Sequence, residues 1–409
     1  VAARRPASCL VRHGPAAGGP QSLGHTRPMP LSPNPPIDRS KAPMRALMFG
    51  NFVVATGVMV VPGMLDRLAQ DLQISVPTAG HLLSLAAVAL CLGAPLFAAF
   101  TSRIDRRRLL TASLLAVSVG HIACALAPNR AVLSVLRPLA VLGAAVLTPQ
   151  AAATIGLLVP AQGRAAAVTT VFLGWSIASV VAMPLGNLIA NYVGWRAAFA
   201  LIGVLAFVAT AWVWRAVPSG LQVAPLSLQS WLAVGASPRL RLILLTTLVW
   251  CAAQFMVLGY ITPSLRQFIN ATPANQAALM GLMGVCGVAG NLLLNRHIGR
   301  LGPDRGARLA LATITAGLGL WSLVSLVAPS APGFVLVTLV WGLGSFAFVS
   351  SQQARLAVTA PDLASASIAL NSSSLYAGQA VGAASGGLLL AGLGYGALGP
   401  AALAIACVA

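Results

Sequence analysis

The residues able to do chemistry in this chain are few, and most are charges set in apolar surroundings. Residues 101–110 read TSRIDRRRLL, four arginines and an aspartate together, in 409 residues of which only 8% are charged. Arg137 stands within SVLRPLAVLG and His121 within another apolar run. A guanidinium in hydrocarbon costs ~3 kcal/mol or more on insertion scales, so it turns toward a bundle interior or a wet cavity. There it can serve solute binding or proton coupling; the competing reading is an arginine snorkelling to the nearer interface. His121 titrates near neutral pH when unperturbed, which makes it a coupling candidate beside its plainer role as a hydrogen-bonded packing residue.

The acids are as informative. All six carboxylates are aspartates (Asp38, Asp66, Asp71, Asp105, Asp304, Asp362), there is no glutamate, and each falls in or at the edge of a segment read as loop or tail. Asp66 is therefore the peripheral acid left for coupling. The six cysteines show no CxxC pair and no metal spacing, so neither a disulfide framework, a metal site nor any cofactor is expected. No GxxxxGK[ST] loop is present to make an ATP-driven pump.

Such residues need elements to position them, and the composition says which. With 58% hydrophobic residues, a mean hydropathy of +0.86 and 40 glycines, the chain lies outside the range of soluble domains, which excludes a soluble enzyme. Apolar runs of about 20 residues, the length that crosses a bilayer, recur along most of it. The formal charge of +19 does not point to nucleic acid, because the basic residues are scattered singly between apolar runs. The expected partners are the lipid bilayer, a small-molecule solute and protons, with the chain a monomer.

Residues 1–43, rich in Pro, Gly, Ser and Arg, read as a disordered tail without the apolar core of a cleaved signal. Met29 and Met44 are candidate translation starts. Helices are expected at 45–65, 78–100, 109–127, 131–154, 166–190 and 197–217, and again at 242–264, 273–294, 309–328, 333–357, 365–390 and 398–409. This gives an N-terminal half (44–217), a linker (218–241) punctuated by Pro218, Gly220, Pro225, Gly235 and Pro238, and a C-terminal half (242–409). The last segment, GPAALAIACVA, reads as a truncated crossing. Thirteen arginines between helices on one side face four on the other (Arg67, Arg130, Arg196, Arg266), which places both termini and the linker in the cytoplasm.

The halves repeat one another. GAPLFAAFTSRIDRRR (93–108) overlies GNLLLNRHIGRLGPDR (290–305) at an offset of 197, pairing Arg103 with Arg300 and Arg108 with Arg305. AMPLGNL (182–188) overlies GAASGGL (382–388) at 200. Two six-helix halves duplicated in parallel, with APLFAAFTSRIDRRRLL, Arg137, AMPLG, GWRAAF, QFMVLGYITPSL and QQARL with APD in order, resemble the major facilitator superfamily. Within it the chain resembles the twelve-helix drug and sugar efflux branch, proton antiporters related to arabinose-efflux and chloramphenicol-efflux permeases.

That resemblance implies an all-α membrane fold, two six-helix halves around a central cavity, in a bacterial-type inner membrane. TSRIDRRRLL resembles the motif A loop, implying a latch from Ser102, Arg103, Asp105, Arg106 and Arg107, with Arg300 in the second copy. Ser102 stands where relatives carry an aspartate and Asp105 where they carry glycine, and the alternative reading is a positive-inside anchor. Arg137 resembles the motif B arginine. Val58 occupies the position where many efflux relatives have a glutamate. Gly174, Pro184 and Gly186 resemble motif C, either a hinge or leak seal or plain close packing. Helices lining the cavity in relatives here offer Asn51, Thr56, Met59, Gln150, Trp250, Gln254, Tyr260, Trp341 and Ser345, which suit a mostly apolar, weakly polar solute or else face neighbouring helices. Asn371, Ser372, Ser373 and Ser374 are read as helix contacts. The expected function is transport, with efflux its direction; the alternatives are an uncoupled carrier and a non-transporting sensor or decayed copy.

Overall fold

The computed structural model describes residues 41–101, 104–160, 163–222 and 228–409, and every regular element among them is helical. Six long helices come first: α1 (Lys41–Asp71), α2 (Val76–Phe100), α3 (Arg106–Ala125), α4 (Arg130–Leu158), α5 (Arg164–Tyr192) and α6 (Trp195–Ala216). A short helix, α7 (Leu228–Ala236), leads into α8 (Pro238–Leu258), α9 (Ile261–Ile269), α10 (Pro273–Leu301), α11 (Pro303–Val327), α12 (Ala331–Thr359), α13 (Ala364–Leu393) and α14 (Leu398–Val408). Among the described residues, 10 of these helices have the length and hydropathy to cross a membrane. The 30-residue α13 has the length but is diluted by serines and glycines, and α14 has 11 residues.

Local chemistry sets where the helices begin. Side chains of Ser75, Asp105, Asn129, Ser237, Thr272 and Ser330 each accept from a backbone N–H two or three residues inside the next helix. Such caps satisfy donors that have no intrahelical partner. Two expectations are corrected on this account. Arg106, Arg107 and Arg108, read as loop, form the first turn of α3 because Asp105 caps it. The linker read as 218–241 is helical over α7, and its last residues are the start of α8, because Pro238 sits at the N-terminal turn where a missing N–H costs nothing.

Two further boundaries differ. α1 runs to Asp71, so Asp66 lies inside a helix and not beyond it. The segment read as one helix over 242–264 is broken at Gly259–Tyr260, since Pro263 has no N–H for the Gly259 carbonyl. The tail expectation falls, over residues 1–40, outside the described residues.

The outward surface is apolar: Leu92, Leu96, Val119, Phe207, Leu293 and Leu388 are among many large exposed side chains. A continuous outer layer of this kind is matched to lipid rather than water. Inside, α1 packs along α5, and α8 along α13 in the same way. A Cβ on Gly174 would collide with the Met48 carbonyl, and one on Gly382 with the Ala252 carbonyl, so each pair meets backbone to backbone. Helices early and late in the chain meet where α2 packs on α13, α5 on α10 and α1 on α9.

Candidate transport site and gating contacts

The site starts from a proline. Pro62 inside α1 removes the N–H that would bond the Val58 carbonyl, leaving an acceptor turned out of the helix. Arg137 of α4 answers it. Its Nη2 donates to the Gly57 carbonyl at 2.6 Å and reaches the Val58 carbonyl at 3.5 Å. The residue is 1% exposed, and its guanidinium carbon lies 5.6 Å from the centre of the Phe199 ring. Arg137 therefore points into the bundle, not to an interface.

Arg137 Nη1 lies 3.2 Å from His121 Nε2, and His121 Nδ1 lies 2.8 Å from the Val117 carbonyl. An arginine only donates and a carbonyl only accepts, so the network assigns His121 as neutral, with its proton on Nδ1. A Cβ on Gly57 would come within 2.9 Å of His121 Nε2, so glycine makes room for the ring. Two charged or chargeable side chains from α3 and α4 thus converge on the turn of α1 that precedes Pro62. No aspartate among the described residues joins them: Asp66 lies in α1 more than two turns beyond Gly57, and Asp71, Asp105, Asp304 and Asp362 lie at helix ends or in the short segments between helices.

The cavity candidates separate into two groups. Asn51 donates to the Val171 carbonyl at 3.2 Å and Tyr260 to the Ala383 carbonyl at 2.6 Å, so these two join helices, while Thr56 and Ser345 bond back within their own helices, to Phe52 and Trp341. Trp341 packs edge-on against Trp321, and Gln150 is taken by Arg106. Trp250 and Gln254 sit four residues apart on one face of α8, and among the described residues Trp250 Nε1 and Gln254 Oε1 are buried without a hydrogen-bond partner, as are Trp341 Nε1 and Asn51 Oδ1; what sets the first two apart is that they share one helix face. The Phe348 ring stands 4.7 Å from Trp250. Met59 is half-buried on α1.

The α2–α3 loop ties its own half together. Asp105 accepts from the N–H groups of Arg108 at 3.1 Å and Gly220 at 2.5 Å, and Arg106 N–H donates to the Leu221 carbonyl at 2.9 Å. Arg106 Nη1 donates to Gln150 Oε1 at 2.7 Å, and Arg107 stacks 4.0 Å above the Trp214 ring. Burial pushes the Asp105 carboxyl up, but the Arg108 and Gly220 N–H groups, the Arg108 charge and the Leu221 N–H together hold it below its ordinary value. Ser102 and Arg103 lie outside the described residues. Arg300 is exposed in the last turn of α10, while nearby Asp304 pairs with Arg355 at 2.7 Å.

The sequence profile described as Major Facilitator Superfamily matches residues 47–383. The chain belongs to that superfamily. It is 30% identical over 356 residues to the inner membrane transport protein YdhP of Escherichia coli K12, covering 86% of this chain and 90% of that one. To a chloramphenicol resistance protein of Streptomyces lividans it is 31% identical over 373 residues, with 88% and 91% covered. The fold of the nucleoside transporter NupG superposes with a TM-score of 0.76 at 11% identity, over 90% of this chain and 97% of that one.

As a Major Facilitator Superfamily transporter the protein is a multi-pass membrane protein, and its remaining candidates are contacts between helices. A Cβ on Gly186 would press on Val60, so Gly174 and Gly186 both bring α5 close against α1, with Pro184 between them inside α5. Asp66 lies about 13 Å along α1 from Gly57, taking nine residues at ~1.5 Å each, and pairs with Arg266 at 2.8 Å. Sequence reasoning missed Asn187, whose Nδ2 donates to the Gly63 carbonyl and to Gln276 Oε1, both at 2.9 Å. It also missed Phe348. A buried amide in an apolar helix is the signal that marks Asn187; nothing local marks Phe348.

Proposed function

We propose that this transporter exports a small, mostly apolar solute that carries both a hydrogen-bond acceptor and a donor, by alternating access. The carrying observation is the buried, unpartnered pair Trp250 Nε1 and Gln254 Oε1 beside Phe348. A solute acceptor on the indole and a solute donor on the amide relieve two groups that each cost ~1–3 kcal/mol when left unpaired. The aromatic pair suits a flat apolar body. The resemblance to efflux permeases and the name of the Streptomyces relative support outward movement of a drug-like compound. The excess of arginines on the side of the α2–α3 loop supports a cytoplasmic location for that face.

The efflux branch suggests proton antiport, with Arg137 and His121 as the coupling pair. A second reading, an uncoupled carrier, is favoured by a specific geometry: protonated His121 would turn a donor toward the Arg137 guanidinium. One experiment tests both. The protein is reconstituted in vesicles with a pH-sensitive dye, and chloramphenicol and a panel of sugars are supplied as gradients. Solute flux with counter-moving protons supports antiport, solute flux alone supports the uncoupled carrier, and no flux across the panel overturns solute export.

A further inference from the structure

Two guanidiniums at the corner between α3 and α6 have no acid to answer them. Arg107 stacks 4.0 Å above the Trp214 ring, its Nε is buried without a hydrogen-bond partner, and among the described residues it pairs with no carboxylate. Arg215, the residue after Trp214, is exposed and likewise forms no ion pair among the described residues. Asp105, the acid nearest to Arg107 in sequence, is taken up by the N–H groups of Arg108 and Gly220. Each guanidinium carries five N–H donors, so this corner holds charge and donors that the protein itself does not use.

A groove leads away from it. Phe207, Val208, Ala211, Trp212 and Arg215 line about 310 Å³ along the outer side of α6. Residues 207, 211 and 214 form one stripe of the helix and residues 208, 212 and 215 the next, so the groove ends at Trp214 and Arg215. Its length is about 12 Å, eight residues at ~1.5 Å each. Phe207, Val208, Trp212 and Trp214 are all exposed. Exposed tryptophans beside an arginine at the end of a spanning helix suit the level where hydrocarbon gives way to headgroups.

Together these features select a ligand. A free phosphate ion would use the guanidiniums and leave the groove bare, whereas phosphatidylcholine would fill the groove and bring its own cation to the arginines. An anionic phospholipid satisfies both, and such lipids are drawn to arginines at the cytoplasmic surface. The guanidinium fork suits a phosphate because it donates to two oxygens at once.

We propose that the α3–α6 corner binds one anionic phospholipid, its phosphate held by Arg107 and Arg215 and one acyl chain lying along Phe207, Val208, Ala211 and Trp212. The proposal uses the cytoplasmic placement of the α2–α3 loop given above and does not depend on the identity of the solute. Asp105 already ties the start of α3 to Gly220, beyond the end of α6. The lipid adds a second tie between the same two helices, one set by the composition of the membrane.

The test needs no solute. The purified protein in detergent is titrated with dioleoylphosphatidylglycerol or dioleoylphosphatidylcholine, and the lipid retained is counted by native mass spectrometry. One phosphatidylglycerol is expected to be held about tenfold more tightly than phosphatidylcholine. Arg107→Gln and Arg215→Gln are each expected to weaken it about fivefold, the value of one arginine near an anionic lipid surface. Arg107→Lys is expected to keep most of the affinity, and Arg305→Gln, at another exposed arginine, to keep all of it. Ala211→Trp, which fills the groove, is expected to weaken binding, and glycerol 3-phosphate in large excess to leave the lipid in place. Equal retention of the two lipids, as great a loss with Arg305→Gln as with Arg107→Gln, no effect of Ala211→Trp, or displacement by glycerol 3-phosphate would each overturn the proposal. Arg215→Gln changes an exposed side chain, so it reads the site even where Arg107→Gln unfolds. Solute flux without a preference for phosphatidylglycerol sinks this proposal alone, and the preference without flux sinks solute export alone.

Discussion

Among the described residues no anion stands beside Arg137, whose guanidinium is held by the carbonyls of Gly57 and Val58, by the His121 lone pair and by the Phe199 ring. Lysine at this position has the charge without the fork, and reaches one of these acceptors instead of several. Arg137→Lys is therefore expected to lower the initial transport rate in vesicles roughly tenfold or more, the value of one charge-assisted hydrogen bond, while expression is maintained. At the solute pair, Trp250→Phe keeps the ring and removes the donor. Its apparent KM is expected to rise about fivefold with little change in maximal rate, as is that of Gln254→Leu. The sequence marks Arg137 as a charge in an apolar helix and leaves two directions for it, into the bundle or out to an interface. It does not show what holds the residue, because nothing in one dimension singles out the Gly57 carbonyl, at 2.6 Å, or the Val58 carbonyl that Pro62 leaves unbonded.

Among the elements, the starts of helices govern the gating loop. Asp105 joins the first turn of α3 to Gly220, beyond the end of α6. Its carboxyl titrates below the usual range in the fold, so this tether is present above the ordinary aspartate value of about 3.9 and is lost as pH falls through the lowered one. Hydrogen exchange at the Gly220 amide is expected to show protection at neutral pH that disappears only in stronger acid, and no protection at any pH in Asp105→Ala. Close packing gives a second test at this scale. Gly174→Val, forced against the Met48 carbonyl, is expected to lose ~1–3 kcal/mol or more of stability and to unfold at lower temperature in detergent, whereas Gly392→Ala, with open space around it, is expected to behave as the parent. The number and order of long helices were legible from apolar runs alone. Their ends were not, because Asp105 and Pro238 read as loop chemistry in one dimension and act as a cap and a first-turn residue in three.

In the whole molecule, the duplication visible as GAPLFAAFTSRIDRRR over GNLLLNRHIGRLGPDR has its counterpart in two equivalent packings, α1 on α5 and α8 on α13. The seam between halves is less legible. Asn187 and Gln276 are ordinary amides in sequence, and only the approach of α5 to α10 makes them partners. Asn187→Leu leaves the Gly63 carbonyl and Gln276 Oε1 without that donor. It is expected to lower the unfolding midpoint in detergent, with part of the loss recovered when Gln276→Leu is added.

The guanidinium of Arg137 has one more consequence. It is a fixed positive field source inside a wall of hydrocarbon, and among the described residues no carboxylate pairs with it. A monovalent cation passing within about 10 Å meets a repulsion of about 1.7 kcal/mol at an effective dielectric of ~20, better than a tenfold penalty against its neutral analogue. Cargo is therefore expected to be sorted by valence: in vesicles a quaternary ammonium compound should move at least about tenfold more slowly than its neutral analogue, and equal rates would count against this field.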